Sequence, residues 1–186
     1  MLVISAHADT NFSSHRLKKL PGGILEGHLD NFTGVHAVMK AYFSGKLDRG
    51  NVRIELTYGE EKGLLGAQEV VKTLKPADVV FVVDVTATPT KRDFVIEKCR
   101  EPQLQKFLRK ALAGLSYDLY PDCPDPVSTS DEVDVYSKVC KLTCFIGVPV
   151  TGGDYNAGVV KCREKSLDAI AEALCRIAAG RQEVSP

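Results

Sequence analysis

The chain has 186 residues, 44% of them hydrophobic and 26% charged, the composition of a globular domain long enough to bury a core without a disulfide or metal to hold it. Its 24 basic and 24 acidic side chains cancel, which argues against a nucleic-acid or anionic-membrane partner, since either would show as a basic excess. No apolar run approaches the ~18 residues of a membrane span, and the opening MLVISAHADT is broken at His7 and Asp9; a cytoplasmic chain forming one domain over 1–186 is expected.

Strand and helix signals alternate along the chain. Residues 2–6 (LVISA) read as a buried strand, and Phe32, Val35, Met39 and Tyr42 recur at helical spacing up to Gly45. Residues 52–58 alternate with the strand period, and Leu64 to Leu74 returns to helix before Pro76. The run 79–85 (VVFVVDV) is β-branched and continuous, the mark of a strand covered on both faces. A strand at 94–98 follows, then a helix opened by Pro102 and carrying Leu104, Phe107, Leu108, Ala111, Leu112 and Leu115 on one stripe. Residues 121–131 hold three prolines and read as a loop; a short helix at 131–138 leads to a strand at 141–147. Leu167, Ile170, Ala171, Leu174, Ile177 and Ala178 mark a last helix closed by Gly180, after which RQEVSP is expected to fray. Strands separated by helices predict an α/β fold with a mostly parallel sheet between helical layers.

The six cysteines are expected as buried free thiols, because no second pair stands at zinc-binding spacing. Cys140 and Cys144, four apart around a strand, are expected on one face.

Ligands collect at the carboxyl ends of strands in such sheets. His7 and Asp9 follow the first strand, Asp30 and Asn31 open the first helix, Glu60 and Glu61 follow the second strand, Asp84 ends the β-branched run, and Asp131 heads the short helix. Taken singly, Asp30 reads as an N-cap and Glu60-Glu61 as first-turn acids. Asp84 resists such a reading, because an acid inside VVFVVDVT needs a partner, a proton or a cation.

SAHADT, LDNFTGV, LTYGEEKGLLGA and VVDVT, in that order and placement, resemble the core of the co-catalytic zinc aminopeptidases and carboxypeptidases, nearest the glutamyl-aminopeptidase and cellulase-M type. The resemblance implies a zinc-exopeptidase-like three-layer αβα fold that hydrolyses peptide or small amide bonds with one or two divalent ions, zinc first and cobalt or manganese as alternatives. It implies His7, Asp30 and Asp84 on the first metal, with Asp30 shared to a second metal held by Glu61. It implies Glu60 as general base and Asp9 as the group orienting the His7 imidazole. Two ions ~3.5–4 Å apart need a shared anionic ligand and together activate water and clamp the developing oxyanion.

The family takes its last ligand from a histidine after the final strand. Here PVTGGDYNAGVVKCREKSLDAI contains none, and Asn156 stands nearest that place, with the acid Asp154 as a substitute. His36 lies inside the first helix, whereas His15 and His28 lie in loops that could approach the site. The segment that usually precedes the His-x-Asp strand and the inserted lid or dimerisation domain are not expected here, which implies a more open site. Two functions follow: a minimal metal-dependent hydrolase, able to form homo-oligomers, or a non-catalytic relative that uses the cleft to bind a metal, a small molecule or a protein.

Overall fold

The computed structural model describes residues 1–47, 50–128 and 130–184. In chain order the elements are β1 (Leu2–His7), β2 (Leu17–Leu20), β3 (Ile24–Gly27), α1 (Phe32–Phe43), β4 (Val52–Thr57), α2 (Leu65–Val70), β5 (Val79–Thr86) and β6 (Phe94–Glu97). They continue as α3 (Pro102–Ala111), β7 (Tyr117–Leu119), α4 (Glu132–Tyr136), β8 (Leu142–Pro149), β9 (Val160–Arg163) and α5 (Glu164–Gly180). A six-stranded sheet runs β4-β1-β5-β8-β6-β7, and a separate sheet runs β2-β3-β9. All neighbours in the large sheet are parallel except β6 on β8.

The sheet separates two apolar layers, as the period-two alternation of its central strands requires. Leu2, Ile4 and Ala6 of β1 and Val79, Phe81, Val83 and Val85 of β5 face the larger cluster with α1, α3 and α5. Val3, Val80 and Val82 face the smaller one, with Ala67 and Val70 of α2 and Val133 and Tyr136 of α4. This is the three-layer αβα arrangement read from the sequence. Among the described residues no helix is long and apolar enough to cross a membrane.

Phe81 sits fully buried at the centre, level with Ile4 of β1 and Cys144 of β8. Truncating it leaves a cavity walled by strands that cannot collapse. Phe81→Ala should cost about 3–5 kcal/mol in urea unfolding; a cost under about 1 kcal/mol would mean that the sheet refills the space.

Several local expectations need correction. Cys140 and Cys144 lie in opposite layers, because Cys140 still belongs to the turn that ends α4, its N–H bonding Tyr136 O, and the chain reorients before β8 begins. All six cysteines are free, five of them buried. The long helix expected from Leu64 is a short α2 flanked by 3₁₀ turns at Glu60–Lys62 and Val71–Thr73. The tail does not fray at once: Arg181–Glu183 forms a turn and Val184 is buried, while Ser185 and Pro186 lie outside the described residues.

Candidate active site

Strand register builds the floor of the site. In β1, Val3, Ser5 and His7 alternate onto one face, and Ser5 is level with Val82 of β5. Continuing that register two residues brings His7 level with Asp84, and His7 Nε2 lies 3.2 Å from Asp84 Oδ2. The third member comes from the turn into α1. There Asn31, not Asp30, is the N-cap: its side chain accepts from Gly34 N and donates to Val83 O at 2.8 Å. Gly34 permits this, because a Cβ there would stand 2.1 Å from Asn31 Oδ1 and 2.6 Å from Val83 O. The start of α1 is thus clamped to β5, and Asp30, just before the cap, reaches His7 Nε2 at 3.0 Å.

His7, Asp30 and Asp84 are all buried, and one donor atom from each lies within 4.8 Å of the others. Burial alone would push the imidazole pKa down, but Asp84 and Asp30 outweigh it and raise the value to about 12. Burial also holds the Asp84 carboxyl well above the usual range, with Asp30 adding to the effect and His7 opposing it.

Glu60 and Glu61 stand on the turn after β4. Gly66 lets that turn fold back tightly, since a Cβ there would meet Tyr58 N at 2.6 Å. Asp9 ties the turn to β1: its carboxylate accepts from Glu60 N at 3.3 Å, and its backbone O lies 3.2 Å from His7 Nδ1. Burial raises Glu60 to about 7, with His7 opposing and Glu61 adding. Burial and then Asp30 raise Glu61, whose Oε2 accepts from Asn11 Nδ2 while Oε1 is buried without a hydrogen-bond partner among the described residues.

These groups line one cleft of about 410 Å³, so the structure brings together His7, Asp30, Glu60, Glu61 and Asp84, with Asp9 just behind. Asn156 lines the same cleft, whereas Asp154 does not and instead accepts from Asn156 N. His36 is exposed on α1. His28 stacks on Phe12 with centroids 3.9 Å apart, and His15 lines a smaller neighbouring cavity with Asp9 and Asp30.

Other groups at the site gave no sequence signal of their own. Glu132 is buried beneath the floor, bonded to Ser5 Oγ and Thr57 Oγ1, and only the strand parity of Ser5 hints at it. Asp125 accepts from Thr86 Oγ1 at 3.0 Å, Ala87 N at 2.8 Å, Val127 N at 2.7 Å and Tyr155 OH at 3.1 Å. One buried carboxylate therefore joins the proline loop, the end of β5 and the loop carrying Asn156. Lys98 bonds Asp131 at 2.9 Å and Asp134 at 2.7 Å, fixing the head of α4 at the cleft wall.

The sequence pattern of Peptidase family M28 matches residues 1–137. Among solved structures, PhTET1-12s, described as a dodecamer, is similar at a TM-score of 0.72 and 18% identity, over 88% of this chain and 53% of that one. The TET aminopeptidase of Thaumarchaeota archaeon SCGC AB-539-E09 is similar at 0.71 and 16%, over 88% and 52%. Aminopeptidase APDkam598 of Desulfurococcus kamchatkensis is similar at 0.71 and 17%, over 89% and 51%. The chain spans about half the length of these structures, and their likeness establishes the fold. No curated protein matches the sequence.

Proposed function

Because the chain belongs to peptidase family M28, we propose that residues 1–186 form the catalytic core of a metal-dependent exopeptidase of the aminopeptidase type, hydrolysing peptide or small amide bonds. The observation that carries this reading is the buried His7–Asp30–Asp84 cluster on the floor of the cleft that Glu60 and Glu61 also line.

The residues fit a divalent cation. Three donor atoms converge, two of them from carboxylates that burial would otherwise penalise, and Glu61 Oε1 is a buried acceptor without a donor among the described residues. His7 and Asp84 would hold the first ion, Asp30 would be shared, and Glu61 would serve the second; Asp9 keeps the imidazole oriented. Zinc suits this nitrogen and oxygen set best, with cobalt or manganese as alternatives. When bound, such an ion polarises the scissile carbonyl and lowers the pKa of water.

Glu60 supplies the proton handling. In the metal-free chain burial raises its pKa to about 7, and a carboxylate on this cleft wall can take a proton from attacking water and return it to the leaving amine. Substrate would meet the floor within the cleft that Val127, Ser128, Ser130, Asp131 and Asn156 also line. The dodecameric state described for PhTET1-12s and for the mApe1 of S. cerevesiae supports a homo-oligomer here as well.

One observation favours the second reading, metal binding without turnover: the cleft offers Asn156 where the resemblance calls for a histidine, and carboxamide is a poor zinc ligand. Metal analysis of the purified chain combined with hydrolysis of aminoacyl amides decides between them. Hydrolysis that stops on chelation and returns with zinc supports the peptidase, and bound metal without hydrolysis supports the alternative.

Metal uptake itself has a measurable signature. In the metal-free chain Asp84 and Asp30 raise the His7 pKa to about 12 against the opposing effect of burial, and a ligating imidazole must be neutral. Zinc added to the metal-free chain at pH 7 should therefore release about one proton or more per ion. Calorimetry in two buffers of different ionisation enthalpy reads this directly. Binding without proton release would mean that the imidazole is already neutral in the metal-free chain or is not a ligand.

A further inference from the structure

The cleft has a floor laid on strands and a wall that is not. Val127, Ser128 and Ser130 come from the proline loop, and Tyr155 and Asn156 from the loop after β8; none of the five belongs to a strand or helix. A second cavity of about 810 Å³ stands beside them, lined by Ala87, Thr88, Pro126, Val150 and Gly152 among others, and Val127 lines both spaces. At Val127 the partition is one side chain thick, so little apolar packing fixes it there. Its position is left to hydrogen bonds.

Those bonds converge on Asp125, a buried carboxylate. Its Oδ1 accepts from Val127 N at 2.7 Å and Ser128 N at 3.3 Å, which shapes the proline loop. Its Oδ2 accepts from Ala87 N at 2.8 Å, just past β5, and from Tyr155 OH at 3.1 Å. Thr86 Oγ1 also lies 3.0 Å from Oδ2, but it has one proton and a second acceptor, Glu97 Oε1, at 3.1 Å. The turn around Asn156 bonds to itself: Asn156 N donates to Asp154 Oδ1, and Ala157 N and Gly158 N donate to Asp154 O. Among the described residues, the hydrogen bond from Tyr155 OH to Asp125 is the one that ties residues 152–158 to another segment.

We propose that Asp125 is a positioning residue for substrate: through the Tyr155 hydroxyl it holds the loop of Asn156 against the proline loop and so fixes the width of the cleft. The substrate role rests on the peptidase reading, whereas the tie between the two loops does not. None of the hydrogen bonds to Asp125 comes from His7, Asp30, Glu60, Glu61 or Asp84. His7 and Asp84 stand on β1 and β5, and Glu60 on the turn after β4, so loosening the wall leaves them in place. Contacts to substrate away from the reacting bond weaken instead, and such a loss appears in KM rather than kcat.

Tyr155→Phe removes the bond and keeps the buried ring, so it disturbs the fold least. On a cleaved aminoacyl amide it should raise KM about threefold to tenfold, as expected for one such bond, and move kcat less than about twofold. Asp125→Ala should raise KM at least as much. The double variant separates a shared action from two independent ones: if the hydroxyl acts through Asp125, adding Tyr155→Phe to Asp125→Ala raises KM no further. Effects that multiply overturn the proposal, since the hydroxyl would then meet substrate by itself. Hydrogen exchange reads the tie without any substrate: the amides of Asn156, Ala157 and Gly158 should exchange about threefold to tenfold faster in Tyr155→Phe than in wild type. Unchanged exchange overturns the proposal even if Asp125→Ala does not fold, and so does faster exchange with KM unmoved. Faster exchange in a protein whose wild type hydrolyses no aminoacyl amide would overturn the peptidase reading, and with it the substrate role, while confirming the tie.

Discussion

Glu60→Gln is expected to lower turnover on a cleaved aminoacyl amide by about 10²–10⁴-fold while leaving the fold and the bound metal in place. The glutamine keeps the shape of the side chain, and the bond from Asp9 to this residue uses its backbone N–H, which the substitution does not touch. Only the proton acceptor is lost. The sign of the stability effect is also fixed. Burial raises the Glu60 pKa from its unfolded value to about 7, so the metal-free wild type loses stability as pH rises through that interval. Glutamine has no such loss, and the metal-free variant should melt at or above the wild type at pH 8. Stopped turnover with metal content unchanged assigns Glu60 to the chemistry. Unchanged turnover removes it from the role, and a drop in metal content would show that the substitution disturbed the ligands instead.

The parts of this site legible in the sequence share a physical origin. His7, Asp84 and Glu60 sit at or just past the ends of strongly patterned strands, and buried β-branched runs such as VVFVVDV fix both the strand and which residues share a face. Asp30 was legible from its position, but its reading as an N-cap failed, since the neighbouring amide of Asn31 takes that place and leaves the carboxylate free to face His7. The strands β2, β3, β7 and β9 were not foreseen. They have three or four residues each, LKKL and VKCR are partly charged, and their pairing depends on partners far away in sequence. Periodicity carries too few residues to register such strands, whereas tertiary pairing creates them. Glu132 and Asp125 were hidden for a related reason. Each lies in or beside a turn-rich segment whose polarity reads as solvation, and only the folded chain brings Ser5, Thr57, Thr86 and Tyr155 to them.

The loop after β8 is where sequence left two alternatives, and the structure separates them in a way that can be measured. Asn156 lines the same cleft as Glu61 and Asp84, whereas Asp154 is exposed and spends its carboxylate on the Asn156 N–H. Tyr155 between them is buried, its hydroxyl on Asp125, so the loop is held rather than free to swing Asp154 inward. If the second metal position lacks only a good ligand, Asn156→His supplies an imidazole where a carboxamide now stands, and imidazole is far the better zinc ligand. Zinc titration calorimetry on that variant should show a second binding event, or second-site affinity raised about tenfold or more, since each 1.4 kcal/mol of added binding is a factor of ten. Asp154→His, made in parallel, should leave the titration as in the wild type. The pair of variants separates position from composition, because both add one histidine to the same loop. A second event with Asp154→His and none with Asn156→His would mean that the loop turns the other way when metal binds. No second event in either would mean that Glu61 and the shared Asp30 do not form a second metal position, leaving a single-ion site on His7, Asp30 and Asp84.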